Sequence, residues 1–410
     1  MSKDSLCLAL DLGTTTLVGR LLGASGAVRA AGRCSNPQGV VAGDIIRRLE
    51  AARDGRALEL QEQLAGGVRT LSGELLRQAG AGREELAVVA IAANPGIAHL
   101  LAAEPVESLL FPPHRPSFRG GAFFPATRFG LDFPCPVYLF PLVSGYVGGD
   151  LTAFLFGRGE PAEATLLVDI GTNAELALYA GGNWLVSSVA AGPAFEGGDI
   201  TCGMQRCAGA VEGVRLVEDR LVLEVVGQGV PRGICGSGLV AAVAAGLAGE
   251  LIDEAGTLRA PEQVATNLAR YLGEKDGQRV LRLYRDAATD LYLTQEDIRA
   301  FQLAKGAVHA GVACLLERAG AHPEALREVV VTGAFGTSLG RKTLKKVAML
   351  PESVIEKVRF EVDGALQGVE RFLTTAGAES RVAQLAAALR PYPLSGTPAF
   401  EKAFIAALNF

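Results

Sequence analysis

The chain has 410 residues, of which 49% are hydrophobic and 20% charged, so it reads as globular and long enough for two or three domains with full cores. A formal net charge of −5 without any basic block argues against a general nucleic-acid binder. The longest weakly polar stretch, residues 239–249, is alanine-rich and too short to span a bilayer, so no membrane partner is expected. Met1-Ser-Lys-Asp-Ser5 leads directly into an apolar strand with no secretory signal, which makes the cytoplasm the expected location. The seven cysteines are scattered and odd in number, which suits reduced thiols. Cys202 and Cys207 form the closest pair, as C-x4-C, but position 210 is Ala and no C-x2-C occurs. The four histidines are dispersed, so no iron–sulfur cluster is expected in this chain.

In chain order, Leu6-Cys-Leu-Ala-Leu-Asp11-Leu-Gly13-Thr14-Thr15-Thr16-Leu-Val18 predicts a strand, a bend and a returning strand, with Gly23–Gly26 as the next turn. A third strand runs to about residue 33, and Asn36-Pro37-Gln38 is a turn. Residues 43–49 start a helix, and residues 57–80 carry apolar positions at helical spacing. Residues 87–92 are a short buried strand, followed by Asn94-Pro95-Gly96 and a helix through His99. His99 is read as satisfying a local backbone group. Residues 104–136 are rich in Pro, Phe, Gly and Arg with little periodicity, an irregular excursion on the first lobe. Residues 137–140 form a strand, and Gly145-Tyr-Val-Gly148-Gly149-Asp150 opens a helix. There Asp150 is either an acid at a ligand site or a helix cap. Residues 157–163 are the crossing to a second lobe. The domain boundaries are therefore 1–160 for the first lobe, 161–390 for the second and 391–410 for a tail.

The second lobe opens on Leu166-Leu-Val-Asp169-Ile-Gly171-Thr172-Asn173-Ala-Glu175, which repeats the strand and the Asp-x-Gly-Thr bend of the N-terminus. Glycine lets backbone N–H groups approach an anion, threonine adds a hydroxyl donor, and Asp11 or Asp169 can hold a hydrated cation. Two such hairpins far apart in sequence imply a duplicated domain, with a nucleotide held in the cleft between two lobes. Residues 190–209 form a glycine-rich loop containing Phe195, Glu196, Asp199 and Arg206, too particular for a linker. Residues 211–226 alternate as a β excursion. Gly233-Ile-Cys-Gly236-Ser237-Gly238 opens a helix whose N-terminus suits an anion. A capping box at Thr294–Asp297 starts a helix that stops at Gly320. Lys305 lies on its apolar stripe and needs an anion or an edge where it can snorkel. Residues 326–340 read as strand, tight turn and helix around Gly333-Ala334-Phe335-Gly336, where a flat base could approach backbone. Residues 366–390 are the final helices.

Two Asp-x-Gly-Thr hairpins followed by Thr332-Gly-Ala-Phe-Gly336 resemble the acetate kinase, sugar kinase, heat-shock chaperone and actin superfamily. Asp11–Thr16 with Asn36-Pro-Gln, Asp169–Asn173, Ala190-Ala-Gly-Pro-Ala-Phe-Glu-Gly, Gly203-Met, Ile234-Cys-Gly-Ser-Gly and Gln302-Leu-Ala-Lys-Gly-Ala narrow this. They resemble the ATP-dependent reductive activators of corrinoid proteins, over about residues 6 to 350. The resemblance implies an α/β fold of two ribonuclease-H-like lobes around ATP. It also implies reactivation of a partner's cobalamin from Co(II) to Co(I), as in a methyltransferase system. Gly13, Thr14, Thr15 and Thr16 would touch phosphates, and Gly171, Thr172 and Asn173 would grip them from the other side. Asp11 and Asp169 would hold Mg2+ through water or the attacking water. Gln302 and Lys305 would reach the nucleoside, with Gly333, Ala334, Phe335 and Gly336 beside the base, and Gly236 and Ser237 form a further anion-friendly turn.

The family carries an iron–sulfur module, and no cluster motif occurs here, which implies a separate electron donor. Ala174 stands where the family has glycine, and Asn94-Pro-Gly-Ile-Ala-His99 and Asp363-Gly-Ala-Leu-Gln-Gly368 also depart from its pattern. Two other readings stay open. One is a small-molecule kinase using Asp150, Glu196 or Asp199 as base. The other is a nucleotide-sensing regulator without turnover. A homodimer is also left open.

Overall fold

The computed structural model describes residues 5–333 and 339–410. The first strand, β1 (Leu6–Leu12), is buried on both faces because its side chains alternate between two apolar layers. Leu6, Leu8, Leu10 and Leu12 enter one core, and Ala9 enters another. β2 (Thr16–Leu22) and β3 (Val28–Ser35) pair antiparallel with it in sequence. The chain then crosses through α1 (Ile45–Ala51) and α2 (Ala57–Ala79) to β4 (Leu86–Ala93), which lies parallel to β1. In α2, Leu60, Leu64, Val68, Leu71 and Leu75 recur every three or four residues, and all are fully buried.

After α3 (Pro95–Ala102) and α4 (Glu107–Leu110), the Pro- and Phe-rich stretch supplies β5 (Ala122–Phe124) to the sheet edge. Phe118, Phe129 and Phe133 of this stretch join the first core, whereas Phe111 and Phe123 stay exposed. His99 is fully buried and uses Nδ1 on the Pro95 carbonyl at 2.8 Å, a local backbone bond. β6 (Val137–Leu139) pairs parallel to β4 and leads to α5 (Gly149–Arg158). The sheet order is β3-β2-β1-β4-β6-β5.

The second unit repeats this plan. β7 (Thr165–Ile170), β8 (Asn173–Ala180) and β9 (Asn183–Ala190) are consecutive antiparallel strands. Three further segments follow. β10 (Ala210–Val217) and β11 (Arg220–Val225) form a hairpin, with β12 (Gly233–Ile234) beside β10 and α6 (Gly236–Ala248) after it. β13 (Leu272–Lys275), β14 (Gln278–Arg285) and β15 (Asp290–Thr294) form a small antiparallel sheet to which the sequence assigned no element. α7 (Gln295–Ala319) starts at the Thr294 and Asp297 capping box and stops at Gly320, as the sequence predicts.

β16 (Glu328–Gly333) then lies parallel to β7, and after α8 (Arg341–Lys346) β17 (Val358–Phe360) lies parallel to β16. The order β17-β16-β7-β8-β9 therefore matches β6-β4-β1-β2-β3 of the first unit, three antiparallel strands followed by parallel ones. This is the α/β plan expected of a duplicated domain with two ribonuclease-H-like lobes. No helix among the described residues is long and apolar enough to cross a membrane.

The compact units are Met1–Pro161 with Asp363–Pro391, and Ala162–Val362 with Tyr392–Phe410. Residues 363–390, assigned above to the second lobe, thus pack on the first unit. The reason is the apolar face of α9 (Gly364–Thr374), whose Leu366, Val369 and Phe372 share a core with Ala9, Tyr138, Phe140 and Phe156. The Tyr138 and Phe372 rings stack with centroids 4.1 Å apart. Arg20 of β2 fastens the start of α9 by pairing with Asp363 at 2.9 Å and Glu370 at 2.5 Å. α10 (Ala378–Ala388) completes this group. Residues 391–410, read as a tail, instead contain α11 (Pro398–Ala406), started by Thr397 and Pro398, with Phe400 in the second unit's core.

Gly368 allows α9 to approach α5 closely, since an added Cβ would fall 1.7 Å from the Ala153 carbonyl oxygen. Gly368→Ala therefore forces backbone apart and lowers stability by about 2 kcal/mol or more. Gly73, exposed in the middle of α2 with nothing within 4 Å of an added Cβ, behaves oppositely. Gly73→Ala raises stability by about 0.5–1 kcal/mol. Urea unfolding of the two variants checks both signs.

Candidate functional site

The two glycine turns close the hairpins at the C-terminal ends of β1 and β7, where parallel α/β sheets place their ligands. In the first turn, Gly13 N–H donates to Thr16 O at 2.9 Å, and Asn36 N–H, just past β3, donates to Thr15 O at 2.8 Å. Side chains behind the turn take its other carbonyls. Asn36 Nδ2 donates to Gly13 O at 2.9 Å, and the Arg48 guanidinium donates to Thr14 O at 2.7 Å. Arg48 is 1% exposed and also donates to Ala42 O at 2.7 Å. With these carbonyls bonded on the protein side, a buried positive charge stands behind a turn of small residues. Asn94 ends β4, caps α3 through the Ile97 N–H at 2.9 Å, and donates from Nδ2 to Thr14 Oγ1 at 3.1 Å.

The second turn is built alike and finished differently. Gly171 N–H donates to Asn173 O at 2.9 Å, and Gly192 N–H, just past β9, donates to Thr172 O at 2.9 Å. Thr172 Oγ1 donates to Glu196 Oε2 at 2.5 Å. Asp169 is in register with Glu175 on β8 and with Thr332 on β16. Glu175 is buried and accepts from Ser188 Oγ at 3.2 Å. The equivalent neighbours of Asp11 in the first unit are Val18 and Ala92. Gly333 brings β16 against Asp169, with φ at +98° and an added Cβ 2.6 Å from Asp169 Oδ1, so only glycine fits there.

Asp11 with Gly13 to Thr16, and Asp169 with Gly171 to Asn173 and Gly333, are thus assembled within their own units. Gly236 and Ser237 lie buried in the first turn of α6, where Gly236 packs against the Phe195 carbonyl and supports the loop that carries Glu196. Ser237 Oγ meets Cys235 Sγ at 3.4 Å. Gln302 and Lys305 are buried with their polar ends on main-chain carbonyls. Gln302 Nε2 donates to Leu408 O at 2.8 Å and Ala255 O at 3.1 Å, and Lys305 Nζ donates to Asn409 O under the Phe410 ring. Burial pulls the Lys305 ammonium down to about 8. Ala334, Phe335 and Gly336 lie outside the described residues. Cys202 and Cys207 are free thiols.

Sequence reasoning missed Arg48, which looks like a solvated helix arginine, and Glu175, whose signal is its even spacing from the turn on β8. It weighed Glu196 as a kinase base without its bond to Thr172. Among the described residues no three His, Cys, Asp or Glu side chains converge as a metal-ligand cluster. Mg2+ keeps most of its waters and takes one or two carboxylates plus substrate phosphates. The donor set of Asp169 with the neighbouring carboxylates therefore fits a cation held through water. The glycine turns and the Thr14 hydroxyl fit phosphate oxygens.

Asp150 sits in the first turn of α5 and accepts from Leu151 N–H at 2.8 Å. Burial raises its carboxyl to about 6, against the opposing pull of backbone N–H groups. The folded chain thus holds this proton to about pH 6, whereas an unfolded Asp releases it near pH 4. The folded state binds more protons across that window, so stability falls as pH rises through it. Asp150→Asn removes this effect. The variant is more stable than wild type at pH 7, and the advantage fades toward pH 4. Urea unfolding from pH 4 to 8 checks it, and an advantage independent of pH would contradict it.

The chain matches known proteins along both of its regions. Residues 163–410 match the profile described as the C-terminal domain of RACo, the ASKHA domain, and residues 6–159 match the RACo middle region. Corrinoid activation enzyme RamQ of Eubacterium limosum is 30% identical over 382 residues, covering 89% of this chain and 64% of its own length. A [Co(II) methylated amine-specific corrinoid protein] reductase of Methanosarcina barkeri is 27% identical over 270 residues, covering 59% of this chain and 46% of its own length. The chain therefore spans less than two thirds of these curated relatives. A solved reductive activator for corrinoid, iron–sulfur protein superposes with a TM-score of 0.92 at 28% identity, covering 100% of this chain and 67% of that one. With both units accounted for by adjoining regions of one protein, the chain belongs to the RACo family, comprising its middle region and C-terminal ASKHA domain.

Proposed function

We propose that this chain is the nucleotide-driven core of a reductive activator that serves a corrinoid protein. The observation that carries the proposal is the pair of matched glycine turns, each locked from behind at the end of a buried strand. The relatives support the corrinoid assignment by what they are described to act on. In this reading Gly13–Thr16 and Gly171–Asn173 bind the phosphates of ATP, and Asp11 and Asp169 hold Mg2+ through its waters. Bound Mg·ATP supplies the free energy of phosphoanhydride hydrolysis. The partner's cobalt gains one electron, Co(II) to Co(I), from a separate electron-donor protein. The chain's own residues bind and orient the nucleotide and couple its turnover to the conformation of the two units. A nucleoside contact by Gln302 and Lys305 requires residues 408–409 to give up their present bonds to these side chains.

Calorimetric titration of Mg·ATP into wild type and Asp169→Ala tests the nucleotide site. Wild type binds, and the variant, with its fold verified by thermal melting, loses at least about tenfold in affinity, or about 1.4 kcal/mol. A well-folded wild type that binds no nucleotide contradicts the proposal. In a second assay, a cobalamin-bearing partner and a reductant are supplied, and ATP accelerates the loss of the Co(II) absorption. No ATP dependence with a partner that forms a complex contradicts the activator role.

A further inference from the structure

A threonine hydroxyl carries one proton and two acceptor lone pairs, so the neighbour that takes or spares the proton decides what the oxygen offers a ligand. In the first turn, Asn94 Oδ1 is used on the Ile97 N–H, which orients the amide so that Nδ2 donates to Thr14 Oγ1. Thr14 keeps its own proton and can donate it onward. In the second turn the order is reversed, because Thr172 donates its proton to Glu196. A carboxylate has none to return, so the Thr172 oxygen faces a ligand as an acceptor.

Glu196 is held in this role by its surroundings. It ends the short turn Pro193–Glu196, which is tied to the glycine turn through Gly192 N–H and Thr172 O. Phe195 beside it is fully buried, and its carbonyl packs against Gly236. An added Cβ on Gly171 would lie 3.4 Å from Glu196 Oε1, so the carboxylate is up against the turn itself. With Glu175 in register with Asp169 on the adjacent strand, this turn is rich in negative charge and acceptors. The Thr172 oxygen therefore suits a donor, the water of a hydrated cation, while the backbone of the same turn is left to the phosphates.

We infer that Glu196 is a positioning residue that takes the Thr172 proton and so makes this hydroxyl an acceptor for water in the cation's hydration shell, whereas Thr14 donates to a phosphate oxygen. This rests on the Mg·ATP reading of the two turns and divides the work between them.

The test is calorimetric titration of ATP with Mg2+ and with EDTA, which separates nucleotide affinity from the gain that Mg2+ adds. Glu196→Met removes the acceptor while keeping bulk. It leaves Mg-free ATP affinity within about twofold of wild type and cuts the Mg2+-dependent gain by at least about tenfold. Thr172→Val cuts the Mg2+-dependent gain by a similar factor, and the double variant loses no more of that gain than either single one, because both remove one interaction. Glu196→Gln restores most of the gain, since an amide oxygen still accepts the Thr172 proton. Thr14→Val weakens ATP binding equally in both buffers. The inference is overturned if Glu196→Met keeps the full Mg2+ gain, if the Met and Val effects add, or if Gln loses as much as Met. The last result would mean that Glu196 acts through its charge on the cation. Wild type that binds no ATP in either buffer removes the Mg·ATP reading first, and this assignment with it.

Discussion

The structure depends on one main-chain hydrogen bond made twice. Just past the third strand of each unit, a backbone N–H reaches back to the glycine turn, Asn36 to Thr15 O at 2.8 Å and Gly192 to Thr172 O at 2.9 Å. This bond requires three consecutive antiparallel strands, because only then does the end of the third lie beside the turn after the first. It also requires a first strand that cannot shift. β1 and β7 meet that need by being buried on both faces, where a one-residue slip would move every side chain into the wrong layer. The turns are therefore held in place by the strands that carry them.

On this common frame the two copies have diverged in charge. Asp11 faces Val18 and Ala92 in register, with the buried Arg48 behind its turn. Asp169 faces Glu175 and Thr332, with Glu196 on its turn. One turn thus offers donors and positive charge, and the other offers acceptors and negative charge. In the proposed Mg·ATP reading, this divergence gives each turn a different part of the work.

Local chemistry made much of the architecture legible in the sequence. The hairpins show as apolar runs broken by Asp-x-Gly-Thr, and α7 shows through the Thr294 capping box and the Gly320 stop. Long-range packing hid the rest. The attachment of α9 to the first unit follows from Phe372 meeting Tyr138, a contact across most of the chain that no local pattern encodes. The short strands β13–β15 alternate weakly and interleave charged residues, so they resemble solvated loop. In the site, the glycines and acids were readable because residue type alone restricts them. Arg48, Glu175 and the bond of Glu196 to Thr172 were not, because their roles come from partners brought together by the fold. The carbonyls of Leu408 and Asn409 on Gln302 and Lys305 belong to the same class.

The central claim is that both turns bind one nucleotide's phosphates, each through its own backbone. Amide hydrogen exchange at residues 13–16 and 171–173, with and without a non-hydrolysable Mg·ATP analogue, tests it most directly. The account predicts slowed exchange at both turns on adding the analogue. Protection confined to one turn, or found only elsewhere in the chain, would contradict it.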